Sequence, residues 1–242
     1  MSLYIKEQMK HSIKNVDSNK EMDKLLNVTK AIKNSHYSHV SMGDRKGCYN
    51  MNRDTVLDLF TLCANHKGVE GIAELPQEYS MLRMDSDFEK EGNVITPLYD
   101  IDVFTDQIIT KFQTHLKETI INFKKNQLDC CILTKDPYIK TANGKTSIKH
   151  GLHLQFPNVF VNRKDFSSFE QHFKDLDGFD IGMSNKPWLL YGQSKGIGKG
   201  TYKPYRVITG NGVVMKPRDY FVNYNVYDTS ENVIKFTKNN VN

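Results

Sequence analysis

The chain has 242 residues, with 33 Lys and Arg against 28 Asp and Glu, a formal charge of +5. That length suits one large domain or two small ones, and a content of 38% hydrophobic and 11% aromatic residues fills a core, which excludes a disordered charged tail. No run approaches the roughly 18 to 20 apolar residues that cross a bilayer, and MSLYIKEQMKHSIK lacks the apolar segment of a secretory signal, so a cytoplasmic protein without a membrane partner is expected.

The four cysteines (Cys48, Cys63, Cys130, Cys131) contain no repeated CxxC, which argues for free thiols in a reducing compartment. Cys63 and His66 have the spacing of zinc ligands, but no second pair matches them.

In chain order, residues 1–30 are Lys-rich and read as a peripheral basic arm with one or two amphipathic turns at most. Val56, Leu59, Phe60 and Cys63 then form one stripe of a helix that Asn52 or Asp54 would cap. In SMLRMDSDF the period changes to two. Leu82, Met84 and Phe88 share one face, and Met81, Arg83, Asp85 and Asp87 share the other, solvated one.

The next segment, DIDVFTDQIITKFQTHLKETIINF, repeats Ile108, Ile109, Phe112, Leu116, Ile120 and Phe123 at helical spacing, with Asp102 or Thr105 as the cap. LDCCILTKD reads as an apolar strand and TANGKTSIKHG as a polar loop. In the following strand, LHLQF, His153 and Gln155 oppose Leu152, Leu154 and Phe156. A helix over 165–176 buries Phe166, Phe169, Phe173 and Leu176, and another strand region surrounds Trp188 to Tyr191. Runs of strands and helices in this order predict an α+β class with a mostly antiparallel sheet and helices on one side.

Four features carry candidate chemistry. Asp85 and Asp87, two apart on one strand face, repel each other unless a cation sits between them, and their hard oxygens with room for phosphates suit Mg²⁺ or Mn²⁺. An acidic pair on a solvated strand is the plain alternative. The rival pair Asp100 and Asp102 sits directly before the best helix, where carboxylates cap amides and oppose the helix dipole.

His153 is either an ordinary strand histidine or a donor to a triphosphate oxygen, approached by Lys145, Lys149 and His150 and by Gly151, which leaves room. Asp180 follows a Gly turn and precedes WLLYGQSKGIGKGTYKPYR, where Lys195, Lys199, Lys203 and Arg206 interleave with Trp188, Tyr191, Tyr202 and Tyr205. This segment is either a solvated charge run or a groove of phosphate contacts and stacking surfaces for single-stranded nucleic acid. Its glycines do not form a P-loop, since Gln193 stands where the first glycine belongs and Gly200 follows Lys199.

In order, Met84-Asp85-Ser86-Asp87, Gly151-Leu152-His153 and Phe179-Asp180 resemble the three motifs of the archaeo-eukaryotic primase superfamily. The flanks GCYNMNRDTVLDLF, KHGLHLQFPN and KPWLLYGQSK are similar to the primase domain of poxvirus-type and giant-virus primase-helicases. The likeness covers roughly residues 45–207.

The resemblance implies an RRM-like antiparallel-sheet palm with helices on one face plus an N-terminal α/β module. Its domain plan is an arm at 1–30, a catalytic domain at 31–225 (module 31–78, palm 79–225) and a tail at 226–242. It also implies that Asp85, Asp87 and Asp180 bind two catalytic Mg²⁺ or Mn²⁺ ions, and that His153, with Lys149 and Lys195, contacts the nucleotide's phosphates. The implied function is primer synthesis on single-stranded DNA from nucleoside triphosphates during replication, in the host cytoplasm or at a viral replication site. A helicase would be the partner, fused or separate.

Two alternatives remain at this stage. One is a primase-like polymerase that extends primers or bypasses lesions; the other is an inactive single-strand-binding module. Such primases usually continue into a helicase, so the chain is expected to be either a fragment or a stand-alone primase.

Overall fold

The computed structural model describes residues 18–33, 35–63, 70–196 and 198–215. His66, residues 1–17 and the expected tail at 226–242 lie outside the described residues.

Two antiparallel sheets and four helices make up the described fold. Helix α1 (Ser18–Val28) falls in the segment expected to be a peripheral arm. It is a three-turn helix whose Met22 and Leu26 are each 1% exposed in the main core, so this half of the arm is part of the packed domain. Strands β1 (His39–Ser41), β2 (Cys48–Tyr49) and β3 (Ile72–Glu74) belong to a small sheet ordered β2-β1-β3-β9. Its fourth strand, β9 (Trp188–Leu189), comes from beyond the palm helices, so residues 31–78 share a sheet with the later chain. Helix α2 (Arg53–Cys63) buries Val56 and Leu59 as the stripe predicts, and Asn52 Oδ1 caps it by accepting from the Thr55 amide at 3.0 Å.

The large sheet has the order β11-β10-β5-β7-β4-β8, with β6 on the free end of β7. Its long strands are β4 (Tyr79–Glu91) and β7 (Lys145–Asn162), an antiparallel pair with a bulge after Met81. Beside them lie β5 (Cys130–Thr134), β6 (Tyr138–Ala142), β8 (Phe179–Asp180), β10 (Lys203–Ile208) and β11 (Val214–Met215). The segment TANGKTSIKHG, expected as a loop, is instead a hairpin. Asn143-Gly144 is its two-residue turn, and Tyr138 to Ala142 pair with Lys149 to Lys145.

Helix α3 (Ile101–Thr119) begins at Asp100, whose Oδ1 accepts from the amides of Asp102 and Val103 at 3.0 and 3.1 Å. Asp100 is therefore the cap in place of Asp102 or Thr105, while Asp102 in the first turn accepts from the Tyr205 hydroxyl at 2.9 Å and pairs with Arg206 at 3.0 Å. Helix α4 (Arg163–His172) is capped by Asn162 and ends before the predicted boundary at 176, although Phe173 remains buried beside Phe166 and Phe169.

One face of the large sheet, with Leu82, Met84, Ile132, Leu152, Leu154 and Phe156, shares a single core with Phe112 and Leu116 of α3 and Phe166 and Phe169 of α4. Phe112 meets Phe156 edge-on at 6.3 Å between ring centres. The opposite face, expected to be solvated, is partly roofed by the small sheet: Ala73 and Leu189 cluster with Leu133 and Tyr202, and Arg83 is 1% exposed. Arg83 survives burial because Glu74 of β3 holds its guanidinium at 2.5 Å and the Trp188 ring lies 5.2 Å from it.

Candidate active site

The roof ends where the motifs begin. Along β4, side-chain exposure rises from 1% at Arg83 to 13% at Asp85 and 31% at Asp87, so the acidic pair stands where the covered face opens toward solvent. Strand pairing brings the other motifs there. Asp85 lies opposite His153 on β7 and opposite Asp180 on β8, while Asp87 lies opposite Gly151. Residues directly opposite in an antiparallel pair present their side chains on the same face.

The turn that returns the chain to β8 requires Gly178. Its φ is +70°, and a Cβ there would come within 2.4 Å of the Phe88 ring. Its carbonyl accepts from the Asp87 amide at 2.9 Å, which ties the turn to β4. The buried Glu170 of α4 anchors the next turn, accepting from the Met183 amide, from the Ser184 amide at 3.3 Å and from the Ser184 hydroxyl at 2.8 Å.

The carboxylates differ in environment. Burial, reinforced by the negative charges of Asp87 and Asp180, pushes the Asp85 carboxyl up to about 7 against the pull of Lys135 and Lys195. Its Oδ1 is 3.5 Å from His153 Nε2 and accepts from the Tyr202 hydroxyl at 3.4 Å. Burial acts on Asp87 in the same direction, but Lys135 and Lys149 outweigh it and hold this carboxyl below its ordinary value. Their ammonium groups are 3.4 Å from Oδ1 and 3.1 Å from Oδ2. Asp180 is half-exposed and pairs with Lys186 at 2.8 Å.

His153 is 3% exposed, stacked between Trp188 at 3.9 Å and Tyr202 at 3.5 Å. Burial and the neighbouring cations Lys135, Lys195 and Arg83 drive its pKa well down, so the ring is neutral, with Nε2 facing Asp85. The open polar face expected around this histidine is therefore closed by two rings. Trp188 and Tyr202, read as stacking surfaces for nucleobases, are 1% and 3% exposed and spend their faces on the imidazole; Tyr205 remains at the surface. Lys149 sits between Asp87 and Glu89. Lys195 is exposed, and its charge acts on Asp85, Lys135 and His153.

Sequence reasoning missed Lys135, the Arg83–Glu74 pair and Glu170. Lys135 has the parity of Cys131 and Leu133 and follows β5 directly, but only the pairing of β5 with β7 reveals that this parity faces the acids. The room expected at Gly151 for a phosphate is taken by the chain's own side chains: a Cβ there would meet Lys135 Cε at 2.5 Å, the Tyr202 hydroxyl at 2.7 Å and Asp87 Oδ1 at 2.8 Å.

Three carboxylates on one sheet face are a hard-oxygen donor set of the kind that holds Mg²⁺ or Mn²⁺. Among the described residues, however, no three His, Cys, Asp or Glu side chains converge closely enough to hold an ion; Lys135 and Lys149 pair with Asp87, and Lys186 with Asp180. At Cys63, whose spacing to His66 is that of zinc ligands, burial lifts the thiol to about 12, and its sulfur receives Gln193 Nε2 at 2.8 Å, the setting of an inert thiol. No helix among the described residues is long and apolar enough to cross a membrane.

Fold and site together define an α+β domain of primase type, with Asp85 and Asp87 on β4 and Asp180 on the neighbouring edge strand β8 of an antiparallel palm. Residues 38–208 match the family described as the C962R protein N-terminal AEP domain, and the chain belongs to this archaeo-eukaryotic primase family. It is similar to two viral proteins. One is "Putative helicase 184R" of Invertebrate iridescent virus 6, 28% identical over 219 residues, covering 76% of this chain and 22% of that protein. The other is "Putative helicase 121R" of Invertebrate iridescent virus 3, 25% identical over 242 residues, covering 85% of this chain and 24% of that protein. The chain thus spans less than a quarter of the length of either relative.

Proposed function

We propose that this domain is a template-directed nucleotidyltransferase that makes primers on single-stranded DNA from nucleoside triphosphates, and that it works beside a helicase, fused or separate. The observation that supports this reading most is the register that sets Asp180 and His153 on either side of Asp85, joining three motifs distant in the chain. The names of the two viral relatives support the helicase partnership.

In this reading Asp85, Asp87 and Asp180 hold two divalent cations. Such cations, when bound, make a 3′-hydroxyl more acidic and neutralise charge on the triphosphate and leaving pyrophosphate. Lys149 and Lys195 attract and orient the phosphates. His153, fixed by Trp188 and Tyr202, offers a neutral donor shared between Asp85 and an incoming phosphate oxygen. The overhanging small sheet buries Arg83 and His153 at the inner end of the covered face, and a low-dielectric surrounding strengthens charge interactions there.

The test is incubation with single-stranded template, labelled nucleotides and Mg²⁺ or Mn²⁺, with and without primer. Products without primer are expected, and Asp85→Asn with Asp87→Asn should lower their rate by about a thousandfold or more. Products that require a primer would replace priming by extension. No product under any condition, with template still bound, would leave a binding module.

A further inference from the structure

We infer that Lys135, which lies outside all three motifs, is a further phosphate-binding residue of this site: it guards Asp87 when no nucleotide is present and passes to the triphosphate on its arrival. The inference rests on the nucleotidyltransferase reading and names a device within that site.

Asp87 faces two ammonium groups. Each of its oxygens has its own ammonium, Lys135 on Oδ1 and Lys149 on Oδ2, while Lys186 holds Asp180. A bare divalent cation seeking Asp87 must therefore displace a lysine that already neutralises it.

Lys135 is the more constrained of the two on Asp87. It is 8% exposed, and its stem lies in the space that Gly151 leaves free. Its ammonium is 4.8 Å from the Tyr202 ring centre and 5.3 Å from that of Tyr138. An ammonium removed from water needs an anion close by, and the two tyrosine faces replace only part of its lost hydration. If a cation takes Asp87, Lys135 loses its nearest anion, keeps only the more distant Asp85, and gains a like charge as neighbour. A triphosphate entering with that cation supplies the missing anion within reach of a flexible four-carbon stem. Cation and triphosphate are thus favoured together, and the cation alone is disfavoured.

The test compares wild-type protein with Lys135→Met, which keeps the stem and removes the charge. Mn²⁺ binding without nucleotide is read by electron paramagnetic resonance, and binding of a non-hydrolysable nucleoside triphosphate in Mn²⁺ by calorimetry. Removing the competitor should tighten Mn²⁺ alone by about five- to tenfold and weaken the triphosphate by about tenfold, in proportion to one charge-assisted contact. Opposite signs are the signature, since a residue that merely props the fold moves both affinities the same way or neither. Should Lys135→Met fail to fold by thermal melting, Lys135→Gln replaces it with the same expectation.

Equal affinities in variant and wild type, or a loss of both, would overturn the role of Lys135 and leave the nucleotidyltransferase reading standing. Absence of triphosphate binding by the wild-type protein itself would overturn both.

Discussion

On the helix side of the large sheet, Leu82, Met84, Leu154 and Phe156 share a core with Phe112, Phe166 and Phe169. One residue along the same strands, on the other side, Arg83 meets Glu74 and Trp188, and Asp85 and His153 meet Tyr202. The first face is held by apolar area, which is non-directional and forgiving of exact partners. The second is held by named pairs, each requiring a specific counterpart from a distant part of the chain. Stability on the first face is expected to be indifferent to pH, whereas on the second it depends on which groups hold protons.

Substitutions that remove one partner from each face put this contrast to the test. Phe112→Ala should destabilise by about 3–5 kcal/mol in urea unfolding, and replacement by Leu should recover much of that loss because only volume is at stake. Arg83→Met should lose about 3 kcal/mol or more, since it leaves Glu74 buried without its cation. The rescue differs in kind: a second change, Glu74→Leu, should restore most of the stability because it removes the carboxylate left without its cation. If Arg83→Met is as mild as an ordinary core swap, the claim that this face depends on specific partners fails.

A smaller effect separates the faces by pH. The folded Asp85 carboxyl titrates at about 7 instead of its ordinary 3.8, so between these values the folded chain keeps a proton that the unfolded chain has released. Stability contributed at this site therefore falls as pH rises through that window and levels off above it. Asp85→Asn should remove this slope and raise the melting temperature at pH 8, in chelator, more than at pH 4.5. Asp87 has the opposite sign: its lowered pKa stabilises the fold at neutral pH, and that contribution disappears as pH falls through the acid range. Identical melting shifts at both pH values for Asp85→Asn would contradict the environment assigned to Asp85.

The same contrast explains what could be read from the sequence. The period of two in Leu82 and Met84 and the helical stripe of Ile108, Phe112 and Leu116 report apolar burial locally, so these elements and the α+β class were legible. The three motifs in order also carried the family. A second cover on the polar face left no local signal, because β3 and β9 meet it only through tertiary pairing. That is why Trp188 and Tyr202 looked free to stack on bases and His153 looked open. The hairpin at Asn143-Gly144 did have a local signal, an Asn-Gly turn between alternating residues, which its many polar side chains obscured. Lys135 had none, since a lysine after an apolar strand is common and only the neighbour across β7 gives it a task.

The central claim is that Asp85, Asp87 and Asp180 gather around divalent cations at the open end of the covered face. It is tested most directly by an anomalous-scattering map of crystals grown with Mn²⁺ and a non-hydrolysable nucleoside triphosphate. The account predicts manganese peaks within coordination distance of all three carboxylates, with triphosphate oxygens completing the shell. Manganese bound elsewhere, or bound at Asp85 and Asp87 with Asp180 still paired to Lys186, would contradict it.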